Sequence, residues 1–196
     1  MGSVERSRSA LALAVLMAGF TLACKGGTEA PAVGAGATST AQTASVGGLS
    51  FPAPPEWNSQ QPRTPMRLAE YAVPGPGGDA SLVIFRFPGG GSAQANIDRW
   101  VSQFGGAASS NGGAGPKIEK QERDGLILTS LDVSGDYQGQ QMPGAPEQPA
   151  LTSARLLALV VDGKGDPYFL KLQGPAATVG EWTEAWSQLV AGIRVE

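Results

Sequence analysis

The feature that most constrains the fold of this chain is residues 153–161, Ser-Ala-Arg-Leu-Leu-Ala-Leu-Val-Val. Apolar side chains occupy both alternating sets of positions, so a strand formed by these residues would be apolar on both faces. This pattern predicts a central strand of a sheet. Shorter stretches with strand periodicity predict its neighbours, and they span residues 49–52, 67–73, 81–87, 126–133 and 167–172.

One further predicted strand has a different character. Residues 117–123 contain a single apolar side chain, Ile118, among alternating charges. Such a segment is typical of an edge strand or of a solvated hairpin arm, because charged side chains cannot be buried between neighbours. Asp124-Gly125 follows it and predicts a tight turn into the next strand.

Two segments have helical periodicity. Residues 93–104 place Ile97, Trp100, Val101 and Phe104 on one apolar stripe, and Ser92 is the predicted N-cap. The second helix is C-terminal, with Thr178 and Glu181 as a predicted capping box. Its apolar residues, spaced for one helical face, are Val179, Trp182, Trp186, Leu189, Val190 and Ile193. We expect the tryptophans of both helices to belong to the core.

Hairpin strands with two helices predict an α+β domain, with a largely antiparallel sheet packed by two amphipathic helices. Two long segments separate the predicted elements, residues 105–116 and 138–150. Both are rich in Gly, Pro and polar residues, so we expect them to be mobile loops.

The first residues have the three-part plan of a secretory signal. Arg6 and Arg8 precede an apolar run of residues 10–20, which is too short to span a bilayer as a stable helix. Leu22-Ala23-Cys24 follows and resembles the bacterial lipobox, although Thr21 stands where a leucine is usual. The resemblance implies that residues 1–23 are a signal peptide and that Cys24 is the lipidation site.

This N-terminal region predicts where the protein is located. Several acyl chains on Cys24 would anchor it firmly to a membrane. Residues 24–48 comprise the lipidated Cys24 and a flexible linker, leaving residues 49–196 as a single domain. Lys25 stands where an Asp would resemble the inner-membrane retention signal, so we expect the outer membrane of a bacterial cell envelope, with the domain facing the periplasm or the surface.

Composition disfavours several function classes. The chain has no histidine, one cysteine and a net charge of −3. It therefore lacks the commonest general base and zinc ligand, and it cannot form an intramolecular disulfide. A weakly acidic chain without basic runs disfavours nucleic-acid binding. From these observations we predict no catalytic residue, no metal and no cofactor.

A few polar groups are candidate sites. Residues 88–92 form a glycine-rich strand–helix loop of the kind that cradles anions, but they lack the Lys of a P-loop. Asn96, Asp98 and Arg99 flank the apolar stripe of the first helix, and a solvated helix face is the simpler interpretation. Asp132 and Asp136 are paired carboxylates, suited to acid–base work or to a hard cation only with further partners.

Two other charged positions, Glu56 beside Trp57 and Arg67 near Glu70, are typical of surface ion pairs or rim residues rather than of catalysts.

The stretch GLSFPAPPEW, residues 48–57, resembles the opening of the Mog1/PsbP-like α/β/α sandwich. The closing VGEWTEAWSQLVAGI of residues 179–193 is similar to its last helix. QANIDRWVSQF and PYFLKLQGPAATV, which lie between them, are similar to segments of uncharacterised bacterial lipoproteins with this fold. The resemblance covers residues 48–196 and implies a domain that binds proteins rather than one that catalyses. It places no functional residue on this chain.

Together these observations favour a membrane-tethered, non-enzymatic binding or scaffolding domain with an envelope protein as partner. Two alternatives stay open. One is a small-ligand carrier with a pocket between the sheet and a helix, and the other is a hydrolase that uses carboxylates alone. Convergent polar groups in a pocket would favour the carrier, whereas a flat apolar patch would favour the binding or scaffolding domain.

Overall fold

The computed structural model describes residues 41–86, 88–109, 115–139, 149–163 and 165–196. These belong to one compact unit, residues 38–196. The helices are α1 (Ala93–Val101), α2 (Ala176–Glu181) and α3 (Thr183–Gly192). The strands are β1 (Gln42–Val46), β2 (Leu49–Ala53), β3 (Asn58–Gln60), β4 (Arg67–Val73), β5 (Ala80–Arg86), β6 (Phe104–Ser109), β7 (Lys117–Arg123), β8 (Leu126–Tyr137), β9 (Leu151–Asp162), β10 (Tyr168–Pro175) and β11 (Arg194–Val195).

The strands form two antiparallel sheets. The larger one has the order β3-β4-β5-β10-β9-β8-β6, and β7 pairs with the first part of β8. The smaller one has the order β1-β2-β11. The α+β class and the largely antiparallel sheet predicted from the sequence are therefore confirmed.

β9 lies between β10 and β8, so the predicted central strand is confirmed as well. Its alternate residues supply two separate cores. Leu157, Leu159 and Val161 pack with α2, α3 and the small sheet, whereas Leu156, Ala158 and Val160 pack under α1. Both faces of β9 are covered because both are apolar.

Two hairpins close through residues in the left-handed region. Asp124 and Gly125 have φ of 54° and 76°, as the predicted tight turn requires. Gly47 and Gly48, with φ of 56° and 83°, join β1 to β2 in the same way.

The predicted linker boundary is wrong at its C-terminal end. Gln42–Val46 form β1 and pair with β2, so the folded unit starts before Leu49. Ala44 and Val46 pack against the core, although the segment has no aromatic residue to signal a strand. The earlier part of the predicted linker lies outside the described residues.

The loop predicted over residues 105–116 is also partly wrong. Phe104–Ser109 form β6, which pairs with the end of β8. Because Phe104 belongs to this strand, α1 ends at Val101 instead of continuing to residue 104. Glycines at 105 and 106 weaken the local strand signal, and pairing with β8 supplies what local propensity lacks.

The single C-terminal helix predicted from periodicity is divided at Trp182, where φ is −93° and ψ is 9°. Thr178 lies inside α2 and does not cap it. Its hydroxyl donates to the Gly78 carbonyl at 2.7 Å and accepts from the Gly77 N–H at 3.1 Å. The predicted capping box is therefore wrong, because Thr178 binds the β4–β5 turn instead. In the part of the chain described here, no helix is both long and apolar enough to cross a membrane.

Candidate functional site

A cavity of about 630 Å³ lies over the face of β4, β5 and β10 that carries Lys171. α1 covers the neighbouring part of the same face, over β8 and β9. A cavity of this size is in the range that holds a small organic ligand.

The cavity has an apolar floor and polar groups that converge on it. The apolar side chains include Val83, Phe85 and Leu151. The polar and charged side chains of the lining are Gln60, Gln61, Arg63, Glu70, Tyr71, Asp79, Ser81, Tyr137, Lys171 and Gln173.

Lys171 lies on the floor of the cavity and is only 8% exposed. Its cross-strand neighbours are Val83 on β5 and Ala158 on β9, so aliphatic side chains flank its stem. Its Nζ lies 5.5 Å from the ring centroid of Trp100, which α1 places over β10. No hydrogen-bond acceptor or carboxylate in the described part of the chain binds this amine.

The electrostatic surroundings of Lys171 are positive. Burial, followed by the charges of Arg99 and Arg67, lowers the pKa of the Lys171 amine from 10.5 to about 7. All three effects act in the same direction, because burial and like charges both disfavour the protonated form.

The carboxylate of Glu70 is already engaged. It accepts hydrogen bonds from Arg63 Nε at 2.7 Å and from Arg67 Nη1 at 2.7 Å, and Arg63 Nη2 also binds it. Burial raises the pKa of the Glu70 carboxyl, but the two arginines outweigh burial and hold the pKa below its usual value. Glu70 is therefore the counter-ion of these arginines.

A second polar side chain of the cavity wall, Gln173, has a hydrogen-bond acceptor without a partner among the described residues. The side chain of Gln173 hydrogen-bonds Tyr137, while its Oε1 is buried and has no partner among the described residues. Gln173 follows Lys171 by two positions on β10, so both side chains point to the same face. One strand thus carries a buried amine and a buried amide oxygen that have no hydrogen-bond partner among the described residues.

The candidate site residues taken from the sequence are used structurally at α1. Ser92 Oγ accepts from the Ala95 N–H at 3.2 Å, which confirms the predicted N-cap. Asn96 Nδ2 donates to the carbonyls of Gly90 and Ser92 at 2.8 and 3.0 Å, so the glycine-rich loop is bound by its own helix. Arg99 donates to Asn96 Oδ1 at 2.6 Å.

Asp132 and Asp136 do not form a joint site. Arg155 donates to both oxygens of Asp132 at 2.9 and 2.8 Å, and to Thr183 at the start of α3 at 3.1 Å. Asp136 Oδ1 accepts from the Ser153 N–H at 3.1 Å. Each carboxylate therefore joins segments of the fold. Across the described ranges, no group of three or more Cys, Asp or Glu is arranged to hold a metal ion.

The expectation for Arg67 and Glu70 needs correction, because both are buried and are not a surface ion pair. Glu56 is exposed, as expected of a surface residue. Trp57 beside it is buried against Trp182, with ring centroids 5.9 Å apart. Trp100 and Trp186 are core residues as predicted, in the core under α1 and the core under α3. Trp182 is partly buried against the core that contains Trp186.

Cys24, the predicted lipidation site, lies outside the described residues. Lys171 was missed by the sequence analysis, although one signal was available. It interrupts the apolar run Tyr168–Leu172 in a strand that is otherwise buried on both faces.

No protein-family model and no curated protein sequence matches this chain. Among solved structures, it is similar to cyanobacterial PsbP (CyanoP) from Synechocystis sp. PCC 6803. That match has a TM-score of 0.50 and 15% identity, and it covers 85% of this chain and 100% of the other. A second match is PA94 from Pseudomonas aeruginosa, a protein of unknown function, with a TM-score of 0.42, 17% identity and coverage of 77% and 94%. The first likeness confirms the PsbP-like fold.

Proposed function

We propose that this chain is a lipid-anchored binding protein of a bacterial cell envelope, and that its domain holds a small ligand in the sheet cavity without transforming it. The observation that carries the proposal is the cavity itself. It combines an apolar floor with a buried amine and a buried amide oxygen that the described residues leave without hydrogen-bond partners. Such a combination is typical of ligand sites.

The arrangement favours binding over catalysis. The two carboxylates suggested by the sequence are occupied, Asp132 by Arg155 and Asp136 by the Ser153 backbone. Glu70, the buried carboxylate of the cavity, is held by Arg63 and Arg67. A general base needs a free lone pair within hydrogen-bond reach of a substrate proton. Asp132 and Glu70 have both oxygens bound to arginines, and Asp136 lies outside the residues that line the cavity.

The location rests on the N-terminal sequence. A short apolar run ending in Leu22-Ala23-Cys24 supports export and lipid attachment at Cys24. A ligand-binding domain tethered in this way would remain at the membrane while it exchanges its ligand with the surrounding compartment.

The experiment that tests ligand binding uses the full chain purified from membranes. Small molecules are extracted from it and identified by mass spectrometry, for wild type and for Val83→Trp, which fills the cavity floor. We expect a molecule that co-purifies with wild type and is lost from the variant. Ile118→Trp, at an exposed position of β7, is the matched control and should retain the molecule.

The same small molecules in Val83→Trp and wild type would contradict the proposal, and so would none in either. The melting temperature of each variant checks that the fold is retained. Crosslinking of the wild-type domain to one envelope protein, with no small molecule bound, would instead favour the scaffolding role.

A further inference from the structure

The amine on the floor of the cavity has no counter-ion among the residues that the structure describes. Glu70, Val83 and Lys171 occupy one row across β4, β5 and β10. Glu70 is therefore two strands away, which is about 10 Å, and both of its oxygens bind arginines. Asp79, on the turn at the rim, forms no ion pair with Lys171.

The remaining charges around Lys171 are positive. Arg67 reaches the same face from β4, and Arg99 reaches it from α1, beside Trp100. Arg63 lies at the exposed rim, paired with Glu70. A negative group entering the cavity would therefore meet an attractive field and up to three hydrogen-bond donors on one amine.

The chemistry of the wall limits what carries that negative group. Val83 and Phe85 lie beside Lys171 on the cavity floor, and Leu151 contributes to the wall. A bare inorganic ion would leave this apolar surface hydrated, whereas an organic acid would bury it.

We propose that the cavity binds a small organic carboxylic acid, an inference that rests on the proposed function. The carboxylate accepts hydrogen bonds from the Lys171 amine, and the apolar body of the acid covers Val83 and Phe85.

Binding of a carboxylate beside Lys171 should be accompanied by uptake of a proton. In the free protein the pKa of Lys171 is about 7, so at pH 8.5 the amine is mostly neutral. A bound carboxylate favours the protonated amine and raises this pKa, so binding takes up a proton. Arg63 and Arg67 hold the pKa of Glu70 below its usual value, so Glu70 is ionised at this pH, and burial raises the pKa of Tyr71 and Tyr137 away from it. Proton uptake therefore reports on Lys171.

The experiment is isothermal titration of the full chain in phospholipid nanodiscs at pH 8.5, in two buffers of different ionisation enthalpy. The probes are octanoate and octanamide, which share their apolar chain and differ in charge, with inorganic phosphate as the free-anion probe. Empty nanodiscs correct for partition into lipid. We expect octanoate to bind about tenfold or more tightly than octanamide, with uptake of up to one proton, and phosphate to bind more weakly than octanoate.

Three variants test the assignment to Lys171. Lys171→Met should lower the affinity for octanoate to that for octanamide and abolish proton uptake. Lys171→Arg should retain binding of octanoate but lose proton uptake, because a guanidinium stays protonated at this pH. Lys117→Met, which removes an exposed lysine of β7, should behave as wild type. If Lys171→Met does not fold, the Lys171→Arg result decides.

Equal binding of octanoate and octanamide, unaffected by Lys171→Met, would overturn the assignment of a carboxylic acid as the ligand. It would leave the proposal of ligand binding in the cavity intact. Binding of phosphate alone, or of none of the probes, would also overturn it. The proposed function is judged separately, by the molecule that co-purifies with wild type and is lost from Val83→Trp.

Discussion

The Lys171 amine lies 5.5 Å from the ring centroid of Trp100, and it is held there by two different parts of the fold. β10 positions the lysine on the cavity floor, while α1 brings the tryptophan over it. The contact contributes a cation–π interaction when the amine is protonated. Burial, Arg99 and Arg67 nevertheless lower the pKa of the amine to about 7.

This relationship predicts a pH-dependent stability. The folded pKa of Lys171 is about 7, and the unfolded value is near 10.5. Between these values the unfolded chain binds more protons, so the free energy of unfolding should rise as the pH rises. Lys171→Met should lack this contribution and should be more stable than wild type below pH 7, by an amount on the order of a few kcal/mol. The advantage should vanish near pH 10.

Urea unfolding at pH 6, 7.5, 9 and 10 measures the difference between the two proteins. Subtraction removes the contributions of groups that both share. A difference that stays constant over this range would show that Lys171 keeps the same protonation state in the folded and unfolded chains.

The ion pair between Asp132 and Arg155 predicts a large cost for Asp132→Asn. Arg155 is almost fully buried and would keep its charge without its bidentate partner. We expect the variant to lose about 3 kcal/mol of unfolding free energy. Asp136→Asn should lose less than about 1.5 kcal/mol, because Asp136 is exposed and accepts one backbone hydrogen bond.

The two variants also test the hydrolase alternative. Chemical denaturation measures stability, and assays against defined envelope substrates measure turnover. Loss of a hydrolytic activity in a folded Asp136→Asn protein would favour the enzyme over the binding protein.

The burial of Trp186 predicts that the core beneath α3 contributes strongly to the free energy of unfolding. It is 5% exposed and packs in the cluster formed with β2, β9 and β10. Trp186→Ala should cost about 3–5 kcal/mol of unfolding free energy, because it empties a large buried volume. Since a domain of this size has about 5–15 kcal/mol in total, the melting temperature should fall sharply. The melting temperature of Trp186→Phe, which retains an aromatic ring, should fall less. An unchanged melting temperature in Trp186→Ala would contradict the buried position.

The membrane anchor predicted from the sequence depends on lipid attachment at Cys24. Cys24→Ser removes the sulfur that would carry an acyl chain, so the protein should leave the membrane fraction or remain as an unprocessed precursor. Metabolic labelling with a radioactive fatty acid, followed by fractionation, measures both effects. Equal labelling of wild type and Cys24→Ser would place the lipid elsewhere or nowhere.

The sequence by itself determined the elements whose signal is local. The two-sided apolar pattern of residues 153–161 fixed a central strand, because alternation is a property of neighbouring residues. The lone Ile118 among charges likewise indicated the edge strand β7, and Asp124-Gly125 indicated its turn. β1 and β6 were missed, since glycine-rich or polar segments become strands only through their partners β2 and β8.

The candidate site was decided by tertiary structure alone. Glu70 and Arg67 are an ordinary surface-like pair in the sequence, and only the pairing of β4 with β5 and the packing around them bury the two residues. Lys171 is one polar position in an apolar strand until β5, β9 and Trp100 enclose it. The reason is that burial and electrostatic field are set by residues distant in the chain, which no local pattern contains.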